Sequence, residues 1–183
     1  TDVELEFHGH DDLGLATANT LTAVQGGATH VSVCVLGLGE RAGNAALEEV
    51  VVALERVAGR SSAVRAELLP ALAELVAASA RRPIPEGKPI VGGSAFTHES
   101  GIHVSGLLHD PETYEALRPE HVGRTRRIVL GKHSGRGAVA HELHSLGIQA
   151  DSDCVAQVLD LVRSRAMATR KAVGPHELRE LYV

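Results

Sequence analysis

At 183 residues the chain can form about one ordinary domain, and its 44% hydrophobic and 22% charged content excludes disordered and collagen-like classes. A net charge of −5 with dispersed Lys and Arg leaves no basic stripe to track a phosphate backbone, which argues against a nucleic-acid partner. No stretch approaches the ~18 apolar residues of a membrane span, the N-terminus lacks a basic-then-apolar signal, and Cys34 and Cys154 form no CxxC pair, so the expectation is a reduced, cytoplasmic setting.

Residues 3 to 10, VELEFHGH, alternate. Val3, Leu5 and Phe7 fall on one face and Glu4, Glu6, His8 and His10 on the other, which predicts a strand with one apolar side. Residues 15 to 25 are Ala-rich, lack Pro and stop at Gly26-Gly27, as a helix with a glycine terminator would. The β-branched run at 31 to 36 predicts a buried strand, followed by the Gly-rich turn GLGERAGN. Leu47, Val50, Val51, Leu54 and Val57 then recur at helical spacing. Two βα units are too few to close a barrel of eight, so barrel material of this kind would lack its earlier units.

A further helix is expected over 63 to 80, with Leu68, Leu72, Leu75, Val76 and Ser79 on one side, ended by Pro83 and Pro85. PIPEGKPIVGGS, residues 83 to 94, reads as a linker or lid base. Beyond it come a β-like stretch at 126 to 131, a helix opened by GKHSGRGAV and closed at Gly147, and a last helix over roughly 152 to 171. The boundaries expected from this pass are 1–60, 61–95 and 96–183.

Three constellations could carry chemistry. His8 and His10 lie two apart on a strand, so both imidazoles leave one face and can share a cation; Asp11 and Asp12 follow as oxygen ligands or histidine partners. An H-x-H pair can equally be polar decoration. Asn44, at the end of the Gly-rich turn, could face a metal or substrate, or simply cap a helix. His98, Glu99, Ser100 and His103 crowd together with Tyr114 downstream, and an imidazole beside a phenol can relay a proton near neutral pH. No nucleophile elbow supports a hydrolase, and GKHSGRG lacks the P-loop spacing, which excludes nucleotide binding of that type.

Taken together, LEFHGHDDLGLATAN, GLGERAGNAALEEVV, FTHESGIH and LGKHSGR resemble, in order and spacing, the 2-isopropylmalate/homocitrate synthase family over essentially the whole chain. THESGIH and GLGER look most like the homocitrate synthases of nitrogen fixers. The resemblance implies an α/β fold, with the last two βα units of a TIM barrel over 1–60, a helical subdomain and linker over 61–95, and a mainly helical lid region over 96–183. It implies His8, His10 and Asn44 as ligands of a divalent cation (Mg, Mn, Fe or Zn), and His103 and Tyr114 as proton-transfer residues. The implied reaction condenses acetyl-CoA with a 2-oxo acid, 2-oxoglutarate first and 2-oxoisovalerate as the alternative. The implied partner is a second copy, or a complementary N-terminal chain bearing the Asp ligand that this sequence lacks; a non-catalytic metal-binding fragment is the reading of another class. Three positions depart from the family's pattern: Leu36 stands for the usual Asn, Ser105 for a common Asp, and Asp11 for the more frequent Asn.

Overall fold

A computed structural model of the chain describes residues 3–182. It is mixed α/β, with short strands and longer helices, and falls into two compact units. The first comprises the residues up to Ala95 with Glu120–Arg124; the second comprises Phe96–Pro119 and the residues from Thr125 onward.

In the first unit β1 (Glu6–His8) and β2 (His30–Ser32) pair in parallel, Glu6 opposite His30 and His8 opposite Ser32. Parallel neighbours need a crossover, and α1 (Ala16–Gln25) supplies it. Helix α2 (Leu47–Arg56) follows β2 and buries Val50, Val51 and Val52. A small core forms from Ala16, Ala45 and Val50, packed by Val31, Val33 and Leu54. Helix α3 (Leu69–Ala80), led in by a 3-10 turn at Ala66–Leu68, completes the unit's regular structure.

Several expectations need correction here. Alternation sets which side chains share a face, not whether anything covers that face: Val3 and Leu5, on the apolar side, are 69% and 56% exposed. Glu4 and Glu6, on the opposite face, are exposed too. The strand expected over 31 to 36 ends at Ser32, touches again through a Cys34–Ala46 bridge, and turns at Val35–Gly37 with Leu36 at φ +59°. In α3 the core side is Leu69, Ala73 and Ala77, a small-residue stripe, while Leu68 and Leu75 face outward. Leu72 and Val76, two of the five positions expected on one side, are half-buried beside that stripe, so the core face is shifted around the helix rather than reversed.

The second unit has a core of its own. Helices α5 (Arg136–Ser145) and α6 (Ser152–Thr169) contribute Val139, Leu143, Val155, Val158, Leu159 and Val162 to it. Asp151 caps α6, its carboxylate accepting the Asp153 and Cys154 N–H groups at 3.1 and 2.8 Å. Strands β3 (Thr97–His98) and β4 (Arg127–Ile128) pair in parallel, Thr97 opposite Arg127 and His98 opposite Ile128. The β-like run at 126 to 131 is thus cut to two residues, although Leu130 adds a bridge to Val173. Helices α4 (Gly101–His109) and α7 (Pro175–Tyr182) are additional to the expected elements. Among the described residues no helix is long and apolar enough to cross a membrane.

Candidate active site

His8 ends β1, and Gly9 and His10 continue it toward the Gly-rich loop. The Ala45 N–H donates to Gly9 O (3.1 Å) and the Asp11 N–H to Gly43 O (2.9 Å), pinning residues 9–11 to 43–45. An antiparallel bridge pairs His10 with Asn44, an arrangement that brings two side chains to one face. The His8 and His10 rings lie 4.9 Å apart between centroids, edge to face at 86°. The expectation of two imidazoles leaving one edge together matches this geometry.

Asn44 is oriented by its donors. Its Nδ2 donates to Leu38 O at 3.0 Å and contacts Cys34 Sγ at 3.2 Å. A carbonyl oxygen accepts only from a donor, which assigns the amide nitrogen to that side and leaves Oδ1 on the other. Oδ1 is buried and has no hydrogen-bond partner. The loop closes over the amide at Gly39, where any Cβ would strike Asn44 Nδ2. The capping alternative fails: Ala46 is the N-cap of α2, without a side-chain cap.

The acidic neighbours are already engaged. Asp11 Oδ1 accepts the Ala16 N–H at 2.9 Å at the start of α1. Asp12 takes a two-pronged contact from Arg41, whose hydrogen bonds hold its carboxyl below the usual range. Glu48, buried on α2, accepts the Leu36 N–H through Oε2 at 3.0 Å, and Lys88 stands 3.5 Å from its Oε1 and 2.6 Å from Glu49. Asn44 also borders a cleft of about 320 Å³ shared with Asp11, Thr17, Leu36, Glu49 and Lys88. Among the described residues no group of three or more His, Cys, Asp or Glu is placed to hold a metal.

In the second unit the His98–His103 crowd resolves into separate pairs. His103, exposed on α4, lies against Tyr114 with ring centroids 4.5 Å apart and a tilt of 36°. His98 turns to Glu115, Nε2 to Oε1 at 3.3 Å. Glu99 accepts the His133 N–H at 3.1 Å. Glu115 and Arg126 were not singled out in the sequence; they are one acid and one base eleven positions apart, which no local spacing rule joins. Arg126 grips Glu115 through both nitrogens and, with His98, holds its carboxyl below the usual range against the opposing effect of burial.

Residues 1–76 match the HMGL-like family and residues 90–171 the homocitrate synthase post-HMGL domain-like family. The chain belongs to the 2-isopropylmalate/homocitrate synthase family. It is 45% identical over 179 residues to homocitrate synthase 1 of Nostoc sp., covering 98% of this chain and 48% of that protein. It is 45% identical over 181 residues to 2-isopropylmalate synthase 2 of Caldanaerobacter subterraneus, covering 99% and 47%. It is 46% identical over 162 residues to the (R)-citramalate synthase of Methanocaldococcus jannaschii, covering 88% and 33%. The chain therefore spans between a third and about half of the length of these relatives.

Proposed function

We propose that the chain carries the metal-ligating and proton-handling residues of a divalent-metal-dependent condensation of acetyl-CoA with a 2-oxo acid, followed by thioester hydrolysis. The observation that carries this reading is the buried, partnerless Asn44 Oδ1 beside the bridged His10 and the adjacent His8. A buried carbonyl-type oxygen without a donor is costly unless something electropositive meets it, and two imidazoles and an amide oxygen suit a borderline divalent cation such as Mn, Fe or Zn as well as Mg. When bound, such a cation polarises the acceptor ketone and stabilises the alkoxide that develops on it.

His8 and His10 would ligate as neutral imidazoles, and Asn44 Oδ1 would complete this chain's share of the shell. His103 would take a proton from the acetyl methyl or pass one during hydrolysis, and Tyr114 would orient its ring. The donor set is short of a full shell, so we place the remaining ligands on further residues of a longer protein or on a complementary N-terminal chain. In the same reading β1, α1, β2 and α2 are two βα units of a TIM barrel within 1–60, residues 61–95 form a helical subdomain and linker, and 96–183 form a lid and C-terminal subdomain. The enzyme would work as a homodimer in the cytoplasm.

For the acceptor we propose 2-oxoglutarate, making the enzyme a homocitrate synthase of the kind that serves nitrogen fixation; THESGIH and GLGER support it. The second reading is 2-isopropylmalate synthase, favoured by an identity of 45% to a relative of that name, equal to that for homocitrate synthase. A thiol-release assay with acetyl-CoA and a panel of 2-oxo acids, run with the N-terminal complement supplied, tests the proposal. Turnover with 2-oxoglutarate is expected; preference for 2-oxoisovalerate overturns the acceptor, and metal binding without turnover on any acceptor turns the reading to a non-catalytic metal-binding module.

A further inference from the structure

Tyr114 sits in a segment with little regular structure. Only a 3-10 turn at Pro111–Thr113 precedes it, and the Tyr114 and Glu115 N–H groups both donate to Pro111 O, at 3.3 and 3.1 Å. Backbone bonding of that kind closes a turn without fixing where the turn lies. Yet the ring is held against two particular features of α4: His103 at 4.5 Å, and Gly106 one turn on, where any Cβ would run into the tyrosine ring.

What holds the segment there is the neighbouring side chain. The Glu115 side chain is only 3% exposed, and its carboxylate takes Arg126 Nε at 2.7 Å on Oε1, Arg126 Nη2 on Oε2, and His98 Nε2 at 3.3 Å on Oε1. His98 belongs to β3, and Arg126 immediately precedes its partner β4, so both anchors are rooted in one strand pair. A buried ion pair contributes little net stability, because desolvating both charges offsets their attraction. What the two-pronged fork does provide is a fixed direction.

We infer that Glu115 is a positioning residue: clamped by Arg126 and His98, it sets the Tyr114 ring against His103. The inference rests on the proposed proton-handling role of that ring pair only for its catalytic consequence. The geometric part stands alone.

Two variants of the whole chain test it. Glu115→Gln keeps the volume and loses the charge, while Arg126→Lys keeps the charge and loses the fork. Both are read first by the nuclear Overhauser effect between His103 and Tyr114 ring protons, with far-UV circular dichroism to verify the fold. The effect should be strong in the parent and absent in both variants. In the complemented enzyme kcat should fall about tenfold to a hundredfold, the usual cost of a reacting group displaced by about 1 Å, with KM within about twofold. Gly106→Ala, which leaves the clamp intact but fills the slot for the ring, should give the same two losses. An undiminished ring-to-ring effect in a folded Arg126→Lys chain overturns the inference, even if Glu115→Gln fails to fold. Loss of that effect with unchanged kcat leaves the positioning established and instead removes His103 and Tyr114 from the chemistry.

Discussion

Replacing Gly43 with Ala should damage both stability and the candidate metal site, and the size of the effect follows from the loop. Gly43 lies at φ +100°, and a Cβ there would be driven into the Gly37 carbonyl oxygen, the atom that accepts the Asn44 N–H at 3.0 Å. The positive φ alone costs an L side chain about 1–2 kcal/mol. Loss of the Asn44 backbone hydrogen bond adds about 1 kcal/mol. Together these give about 2–3 kcal/mol, or roughly 4–12 °C in Tm at the roughly 2–4 °C per kcal/mol expected for a chain of this size. Gly27→Ala is the control: it has a similar φ of +109° but nothing within 4 Å of the new Cβ, so only the strain remains. Thermal unfolding followed by circular dichroism should place Gly43→Ala below Gly27→Ala by about 2–4 °C, the share of the lost hydrogen bond. Metal affinity should fall in the first variant and hold in the second, because only Gly43 adjoins Asn44. Equal midpoints, or equal metal affinity, would refute the argument that this loop is held closed around the amide.

Lys88→Ala should cost about 3 kcal/mol in urea denaturation, since it leaves Glu48 buried without a cation, and Glu48→Gln in that background should recover part of the loss. Leu143→Ala, in the fully buried core of the second unit, should cost about 2–5 kcal/mol by the same measurement. Glu115 has its folded pKa lowered by Arg126, so its contribution is present above the ordinary carboxylate range and is lost as pH falls through its depressed folded value. Tm measured across acid pH should therefore fall less steeply in Glu115→Gln. Glu142 behaves oppositely: burial raises its pKa, so its contribution declines as pH rises past the ordinary range, and Glu142→Gln should raise Tm at neutral pH relative to acid.

How far the sequence could be read depended on whether the signal was local. The α1 and α2 helices were legible because an Ala-rich run with a glycine stop, and Val and Leu at helical spacing, act within one element. The His8–His10 pair was legible for the same reason, since period-two geometry sets two side chains on one edge. Burial was less so, as the exposed Val3 and Leu5 and the shifted core face of α3 show; it depends on what packs against an element rather than on the element itself. Helix α4 opens on Gly101, carries Gly106 inside, and mixes Ile102 and Leu108 on its exposed side with Val104 and Leu107 inside, which blurs its period. For α7 the cue was present but short: Pro175 at the helix start, then Leu178, Leu181 and Tyr182 at helical spacing. The Glu115 clamp joins three segments and has no one-dimensional signature; only the fold brings His98, Glu115 and Arg126 together.

The most direct test of a shared cation at His8 and His10 is a zinc titration of the histidine-labelled chain, followed by imidazole nitrogen resonances assigned from His8→Ala and His10→Ala. Both rings should move along a single saturation curve at one ion per chain, and removing either ring should abolish the response of the other. Independent curves for the two rings, or an unaltered His10 response in His8→Ala, would contradict the account.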